Sequence, residues 1–305
     1  MRRPIAHGFA YWLWRIAAAL AQRLPSGVLY PLAAGMGELA YGVWRTKRRI
    51  ANENFARVLG RPASDLAVRR TARRSFGNFA KYVVEIMRFP RLRPGDLERL
   101  VSIDGWEHLR AATEQGRGLI FASIHFGNFE MGGARIADEI PLNVIADDLS
   151  NQRLMDLLVG NRAHKNINIH SPNGAARKAL QALRRNEMVG LMMDLGPRAL
   201  AFDTVRTEFF GQQAAFPAVA ANLARVSGAP IVVAAVLRER DDRFRGIALP
   251  PIFVDRTRQA SHETARVTEA IARGLEELIR RCPEQWYIFR PMWPAGGEAH
   301  PTGAM

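Results

Sequence analysis

Residues 119–130 read LIFASIHFGNFE, and this stretch decides the fold. Its first six residues are apolar or small and suit a short buried strand that stops at His125. Gly127 permits a tight turn there, and Asn128 can cap a helix that follows. The stretch therefore predicts a strand, a turn and a helix, which is the repeating unit of an α/β fold.

The chain from about residue 118 onward repeats this alternation. Further β-rich runs lie at Leu142–Ala146, Ile167–Ile169, Val189–Met193, Ile231–Leu237 and Gly246–Leu249. Helical periods lie near 129–139, 151–164, 174–186 and 216–227, with a long one near 261–281. The pattern predicts an α/β fold with a mixed, largely parallel sheet flanked by helices, in which the last strands can turn antiparallel.

Charge divides the 305 residues into two parts. Residues 1–100 hold 19 of the 43 Lys and Arg side chains but 6 of the 29 Asp and Glu, so residues 101–305 are almost neutral. A helical, basic N-terminal region at 1–100 is therefore predicted to precede an α/β domain at 101–305. Its positive excess indicates an anionic partner. With 48% hydrophobic residues and one cysteine, Cys282, the chain is neither disordered nor a disulfide scaffold.

The first half of the N-terminal region has the composition of a membrane-surface element. Two apolar segments, Ile5–Ala21 and Val28–Trp44, contain several Trp and Tyr residues and precede the basic cluster Arg45–Arg49. Such helices lie in a membrane interface, with aromatic side chains inserted and basic ones on anionic headgroups. Arg15 interrupts the first segment, which disfavours a cleavable signal peptide and a membrane span, although one N-terminal span stays open. A helical subdomain with a solvated basic face is the alternative.

A second helix is predicted at 64–89, with Ser64 as its N-cap. Arginines at positions 69, 70, 73 and 74 project from one side of it, which again suits an anionic partner. Nucleic acid is disfavoured as that partner, because the sequence has no helix-turn-helix signature, zinc-finger spacing or aromatic RNA-binding strand.

Polar side chains follow two of the predicted strands, where ligand sites gather in open α/β sheets. His125 ends the first strand, and Asp194 directly follows Val189–Met193. Glu130 would lie in the first turn of the next helix, from which its carboxylate can point back and fix the imidazole tautomer. The pair would then act as a base and its orienting group, as in acyl transfer. A structural His125 and a loop-capping Asp194 are the alternatives on these observations alone.

Other catalytic chemistries find little support in the sequence. It lacks a zinc-protease motif, a cysteine cluster, a G-x-S-x-G nucleophile elbow and a glycine-rich phosphate loop. We therefore expect no metal and no cofactor.

Five sequence blocks lie in order along nearly the whole chain: Arg48–Phe55, His125–Glu130 with the spacing H-x4-D/E, Asn151–Arg162, Glu208–Gly211 and Gly228–Val232. Together these blocks resemble the bacterial lipid A biosynthesis (late) acyltransferases. That family lies within the lysophospholipid acyltransferase superfamily, which includes the phosphatidylinositol mannoside acyltransferases. The chain departs from the proteobacterial pattern at Asp194-Leu195 and at the C-terminal QWYIFR, which affects the expected acceptor more than the chemistry.

The resemblance implies a glycerolipid acyltransferase-like fold. It also implies an enzyme that moves a fatty acyl chain from an acyl carrier protein or coenzyme A thioester to a lipid hydroxyl. A lipid A precursor is the first choice of acceptor, followed by a phosphatidylinositol mannoside or another lysophospholipid. By the same resemblance His125 is the general base and Glu130 its partner, while Asn128, Arg162 and Asp194 bind substrate, with Arg162 at a phosphate or an oxyanion.

The expected location is the cytoplasmic face of the inner membrane, with the enzyme peripheral or monotopic. Its partners would be anionic membrane lipids, the lipid acceptor and the thioester donor, and not nucleic acid. The alternative of another class is a non-catalytic membrane protein that binds anionic lipids through the same basic region.

Overall fold

The computed structural model describes residues 3–145, 156–157, 159–160, 165–170, 174–201 and 203–293. The α-helices whose bounds lie within these ranges are α1 (Arg3–Ala21), α2 (Ser26–Val43), α3 (Arg45–Leu59), α4 (Leu66–Arg88), α5 (Pro94–Leu100), α6 (Trp106–Thr113), α7 (Phe129–Ala137), α8 (Ala175–Arg184), α9 (Val219–Ser227) and α10 (Ala260–Arg281). The strands are β1 (Val101–Asp104), β2 (Leu119–Ser123), β3 (Leu142–Ile145), β4 (Ile167–His170), β5 (Met188–Met192), β6 (Thr204–Phe209), β7 (Gln212–Pro217), β8 (Ile231–Arg238) and β9 (Phe244–Ala248).

The main sheet has the strand order β1-β9-β8-β2-β5-β3-β4, and β6 and β7 form a separate antiparallel hairpin. Strand β2 pairs in parallel with β5 and β8, while β9 runs antiparallel to β8. Every residue of β8 is buried, as expected for an apolar strand covered on both faces. The predicted α/β fold, with a mixed, largely parallel sheet flanked by helices, is confirmed.

Each central strand supplies side chains to two cores, because successive residues point to opposite faces of a sheet. In β2, Leu119 and Phe121 pack with α5, α6 and α7 on one face. Ile120 and Ala122, with Ile124 beyond the strand, join a second core that also contains residues of α3, α4, α9 and α10. With Tyr41 of α2, three of the N-terminal helices are therefore packed into the same core as the sheet.

Helix α2 has one buried and one exposed apolar face. The buried face packs on α4 so closely that a Cβ atom on Gly37 would lie 2.3 Å from the carbonyl oxygen of Phe76. The exposed face carries large apolar side chains at helical spacing, each 58–72% exposed. We call this set the α2 stripe; it consists of Val28, Leu32, Met36, Leu39 and Val43. In the part of the chain that the structure describes, no helix combines the length and apolarity needed to cross a membrane.

The structure corrects several details of the predicted elements. The helix predicted at 64–89 is α4, and its N-cap is Asp65 rather than Ser64, because the Asp65 carboxylate accepts the N–H of Ala67 at 2.7 Å. Strand β1 and the β6–β7 hairpin were not predicted. The helix predicted at 151–164 is described at four helical positions, and Arg162 lies outside the described residues. The domain boundary at residue 100 stays a prediction.

Candidate active site

His125 lies in a tight turn between β2 and α7, residues 124–128, which we call the β2–α7 turn. Gly127 has φ +54°, and a Cβ atom there would lie 1.6 Å from the carbonyl oxygen of Val236, so glycine is required. The side-chain oxygen of Asn128 accepts the N–H of Met131 at 3.0 Å and caps α7. Both local predictions, the glycine turn and the asparagine cap, are confirmed.

Asp194 reaches His125 because β2 and β5 are parallel neighbours. Ser123 pairs with Met192, and His125 and Asp194 each lie two residues beyond their paired strand ends. The Nδ1 atom of His125 is 2.8 Å from Oδ1 of Asp194, and Oδ2 of Asp194 accepts the backbone N–H of His125 at 3.1 Å. The structure thus brings together two of the predicted site residues.

The Asp194 carboxylate is 1% exposed and is held ionised by its partners. Burial alone would raise its pKa, but the His125 imidazole and the hydrogen bonds from His125 and Trp286 outweigh burial and lower the pKa to about 2. The Trp286 indole donates its N–H to Oδ2 at 3.0 Å. A fixed negative charge therefore faces Nδ1 of the imidazole at neutral pH.

The C-terminal segment forms the back of the β2–α7 turn. The backbone N–H of Gly127 donates to the carbonyl oxygen of Gln285 at 2.9 Å. The backbone N–H of Tyr287 donates to the carbonyl oxygen of His125 at 2.8 Å. The ring of Phe129 meets the imidazole edge-on, with 5.5 Å between centroids. The His125 side chain is still 34% exposed, so a substrate can reach it.

The other predicted site residues have different surroundings. Glu130 is the second residue of α7 and is 9% exposed, and the carboxylate at Nδ1 of His125 belongs to Asp194. Asn128 is 1% exposed, and its amide nitrogen donates to Glu85 at 2.6 Å. The pairing of Glu130 with His125 and the substrate-binding roles of Asn128 and Arg162 stay predictions.

The geometry suits general-base chemistry on a substrate hydroxyl. A carboxylate on Nδ1 holds the proton there and leaves Nε2 as a base, which is the arrangement that activates alcohols in acyl transfer. Burial raises the pKa of the Cys282 thiol, which makes it a poor nucleophile. Among the described residues, no group of three or more His, Cys, Asp and Glu side chains is placed to hold a metal ion.

The contact of Trp286 with Asp194 was not predicted from the sequence, and Asp194 was assigned a substrate-binding role. A signal for Asp194 was present, because it directly follows a strand predicted to lie in the same parallel sheet as β2. Trp286 lies in the QWYIFR segment, which departs from the proteobacterial family signature and gives no local sign of a role at a carboxylate.

The sequence model of the bacterial lipid A biosynthesis acyltransferases matches residues 2–294. The chain belongs to this family. It is 26% identical over 287 residues to a phosphatidylinositol mannoside acyltransferase of Mycolicibacterium smegmatis, covering 92% of this chain and 89% of the relative. It is 28% identical over 250 residues to the enzyme of that name from Mycobacterium tuberculosis, covering 80% and 76%.

A second kind of relative is the lipid A biosynthesis lauroyltransferase of Escherichia coli K12. The identity is 25% over 298 residues, covering 96% of this chain and 94% of the relative. The names of these relatives mention different lipids, but all of them denote acyl transfer. This member of the lipid A biosynthesis acyltransferase family is therefore an acyltransferase.

Proposed function

We propose that the protein transfers a fatty acyl chain from an acyl carrier protein or coenzyme A thioester to a hydroxyl of a membrane glycolipid. The observation that carries this proposal is the hydrogen-bonded pair of His125 and buried Asp194 at the carboxyl edge of the sheet. A lipid A precursor is the first acceptor to test. A phosphatidylinositol mannoside is the second, because relatives at 26% and 28% identity carry that name.

The reaction follows from the geometry of the pair. Nε2 of His125 takes the proton of the acceptor hydroxyl while its oxygen attacks the thioester carbonyl carbon. The carbon–sulfur bond then breaks, the thiolate leaves, and it takes the proton from the imidazolium. General-base help of this kind contributes roughly 10²–10⁴-fold to the rate. Asp194 stabilises the positive charge on the imidazole while the proton resides there.

The other predicted residues complete the proposal. Arg162 is proposed to hold a phosphate of the acceptor or to stabilise the oxyanion, since its fork of N–H donors suits both. Glu130 is proposed as a second acidic group in the first turn of α7, near the imidazole that precedes it in the sequence. Asn128 is proposed to contribute through the cap that holds this turn.

The proposed location is the cytoplasmic face of the inner membrane, with the protein bound peripherally. The α2 stripe supports peripheral membrane binding, and four large apolar side chains of α1 are also more than half exposed: Trp12, Leu13, Ile16 and Leu20. Contiguous exposed apolar surface of this kind marks interaction sites. The basic side chains that follow α2 add attraction to anionic headgroups of about 1 kcal/mol each near the surface.

The test of activity uses a labelled acyl thioester with each glycolipid acceptor in detergent-lipid micelles. We expect transfer to one acceptor and its loss in His125→Ala. The control is His108→Ala, because the His108 side chain has nearly the same exposure, 32% against 34%, and lies on α6. Full activity in His125→Ala would contradict the mechanism. Mass spectrometry of lipids from cells with and without the protein then identifies the acceptor and the acyl length.

The test of location is flotation with vesicles that contain anionic lipid. Leu32→Asp and Met36→Asp should each lower vesicle binding roughly tenfold, because each removes more than half of an apolar side chain from the membrane contact. Val226→Asp is the matched control, since Val226 is 59% exposed on α9. Strong vesicle binding without acyl transfer from any thioester would favour the non-catalytic alternative.

A further inference from the structure

A buried ion pair lies behind the β2–α7 turn. It joins Glu85 of α4 to Arg238, the last residue of β8, and their side chains are 0% and 5% exposed. The Arg238 guanidinium contacts the Glu85 carboxylate and lies over the rings of Tyr30, at 5.5 Å, and Phe244, at 5.1 Å. The pair is therefore sealed from water by α2, α4 and the sheet.

Stability alone is a weak reason for such a pair. Two buried charges lose their hydration, and an apolar pair of similar volume often gives an equally stable or more stable protein. Burial raises the pKa of the Glu85 carboxyl, and the charge of Arg238 opposes that rise. Glu85 thus needs Arg238 to stay charged, while Arg238 also lies 3.5 Å from the carboxylate of Asp242. Stability alone does not explain the buried pair, which points to a further role.

Glu85 contacts the β2–α7 turn directly, whereas the backbone of Arg238 is linked to it through Gln285. Oε2 of Glu85 accepts the amide N–H of Asn128 at 2.6 Å, which fixes the amide orientation that caps α7. The backbone N–H and carbonyl of Arg238 bond to the side chain of Gln285 at 2.7 and 2.8 Å. The carbonyl oxygen of Gln285 in turn accepts the N–H of Gly127. The Glu85 carboxylate therefore holds the turn from the α7 side, and the Arg238 side chain acts on the turn by keeping that carboxylate charged.

We infer that Glu85 and Arg238 are positioning residues for acyl transfer, which hold Asn128 and the β2–α7 turn so that the His125 imidazole meets the acceptor hydroxyl. This inference rests on the proposed function of His125. A displacement of about 1 Å at a reacting group can cost on the order of 10²-fold in rate. Loss of the pair is thus expected to lower kcat while substrate binding, made elsewhere, is retained.

The first experiment separates positioning from stability. The variant Glu85→Leu/Arg238→Met removes both charges and keeps an apolar fill, so its Tm should lie above those of Glu85→Leu and Arg238→Met, each of which leaves one buried charge without its partner. Its kcat should still fall about tenfold to a hundredfold, with KM for donor and acceptor changed less than about threefold. If kcat of the double variant recovers to the wild-type value along with its Tm, the inference is overturned.

The second experiment asks whether Glu85 acts through Asn128. Glu85→Ala and Asn128→Ala should lower kcat by similar factors, and the double variant should lie within about threefold of the lower single variant. Glu263→Ala is the control substitution, because Glu263 is also buried, at 1% exposed, and is ion-paired with Arg266. Its contacts lie within α10 and with the backbone N–H of Asp255, which precedes that helix. In the control double variant Glu263→Ala/Asn128→Ala, the two losses of kcat should multiply. If the losses in Glu85→Ala/Asn128→Ala multiply in the same way, the inference is contradicted.

A third measurement needs no turnover. Hydrogen exchange of the resting protein should be roughly tenfold faster in segment 124–131 of Glu85→Gln, and unchanged there in Glu263→Gln. Exchange at the wild-type rate in that segment would overturn the inference even if Glu85→Ala fails to fold. If the wild type transfers no acyl group from either donor, the proposed function fails, while the exchange result still decides whether Glu85 holds the turn.

Discussion

Replacement of Asp194 by Asn tests the site most directly, because the two side chains have almost the same shape. Oδ1 of Asp194 faces Nδ1 of His125, and Oδ2 accepts two N–H groups, from the His125 backbone and the Trp286 indole. An asparagine keeps most of these bonds when its oxygen takes the Oδ2 place. Its NH2 group then faces Nδ1, which must accept, so the imidazole proton moves to Nε2 and the base is lost.

The magnitude follows from charge and distance. Opposite charges about 4 Å apart attract by roughly 4 kcal/mol at an effective dielectric constant of about 20. Loss of this attraction from the imidazolium in the transition state corresponds to about 10³-fold, at roughly 1.4 kcal/mol for each factor of ten. The wrong tautomer adds to that loss, so we expect kcat/KM of Asp194→Asn to fall by roughly 10³–10⁴-fold.

The assay is transfer of a labelled acyl chain at saturating and limiting acceptor, with Tm measured on the same preparations. Asp203→Asn is the matched control, because Asp203 is exposed and accepts the amide N–H of Asn222 at 2.8 Å. Asp203→Asn should keep wild-type activity. Activity of Asp194→Asn within about tenfold of the wild type, at an unchanged Tm, would refute the role given to Asp194.

Three further predictions concern stability. Gly127→Ala should lower the free energy of unfolding by about 3 kcal/mol or more in urea titrations, because its Cβ would meet the Val236 carbonyl oxygen. Asn54→Ala should lower it by about 3 kcal/mol through three lost hydrogen bonds, and Asn52→Ala, which loses one, by about 1 kcal/mol. Asp194 has a pKa lowered from 3.8 to about 2, so its stabilisation is full above pH 4 and lost as the pH falls through 2. Between pH 5 and 2 the wild type should therefore lose about 2 kcal/mol more than Asp194→Asn, measured by chemical unfolding at each pH.

The β2–α7 turn could be predicted from its own sequence because every signal in it is local. The apolar run ends at His125, and the glycine at 127 takes a positive φ. Asn128, three residues after His125, caps the helix that begins at the next residue. Each of these features depends on residues within one turn of the chain. Local chemistry therefore sufficed to place His125 at the carboxyl edge of the sheet.

The partner of His125 could not be predicted in the same way. Glu130, five residues on, is the nearest carboxylate in the sequence, whereas Asp194 is 69 residues away. The contact with Asp194 depends on β2 and β5 being adjacent in the sheet, and the strand order β1-β9-β8-β2-β5-β3-β4 does not follow the order of the sequence. Periodicity identifies strands but leaves open which of them are neighbours.

The β6–β7 hairpin was missed for a different reason. Its two strands, Thr204–Phe209 and Gln212–Pro217, carry exposed polar residues next to the turn that joins them, so neither has the apolar run that marked the other strands. The block Glu208–Gly211 forms the end of this hairpin. The resemblance of this block to the family was thus recognised, but the hairpin turn that it forms was not predicted.

The helices of the basic N-terminal region also support the chemistry at the sheet edge. Asn54 of α3 donates to the carbonyl oxygens of Ile288 and Arg290, and Ser75 of α4 donates to that of Trp286 at 2.8 Å. These bonds hold the segment whose indole N–H reaches Asp194. That donor is one of the groups that lower the pKa of a carboxylate that is 1% exposed, so it helps to keep a negative charge opposite His125. Helices α3 and α4 therefore act on the imidazole through Trp286, whereas the membrane contact proposed for this region depends on the exposed faces of α1 and α2.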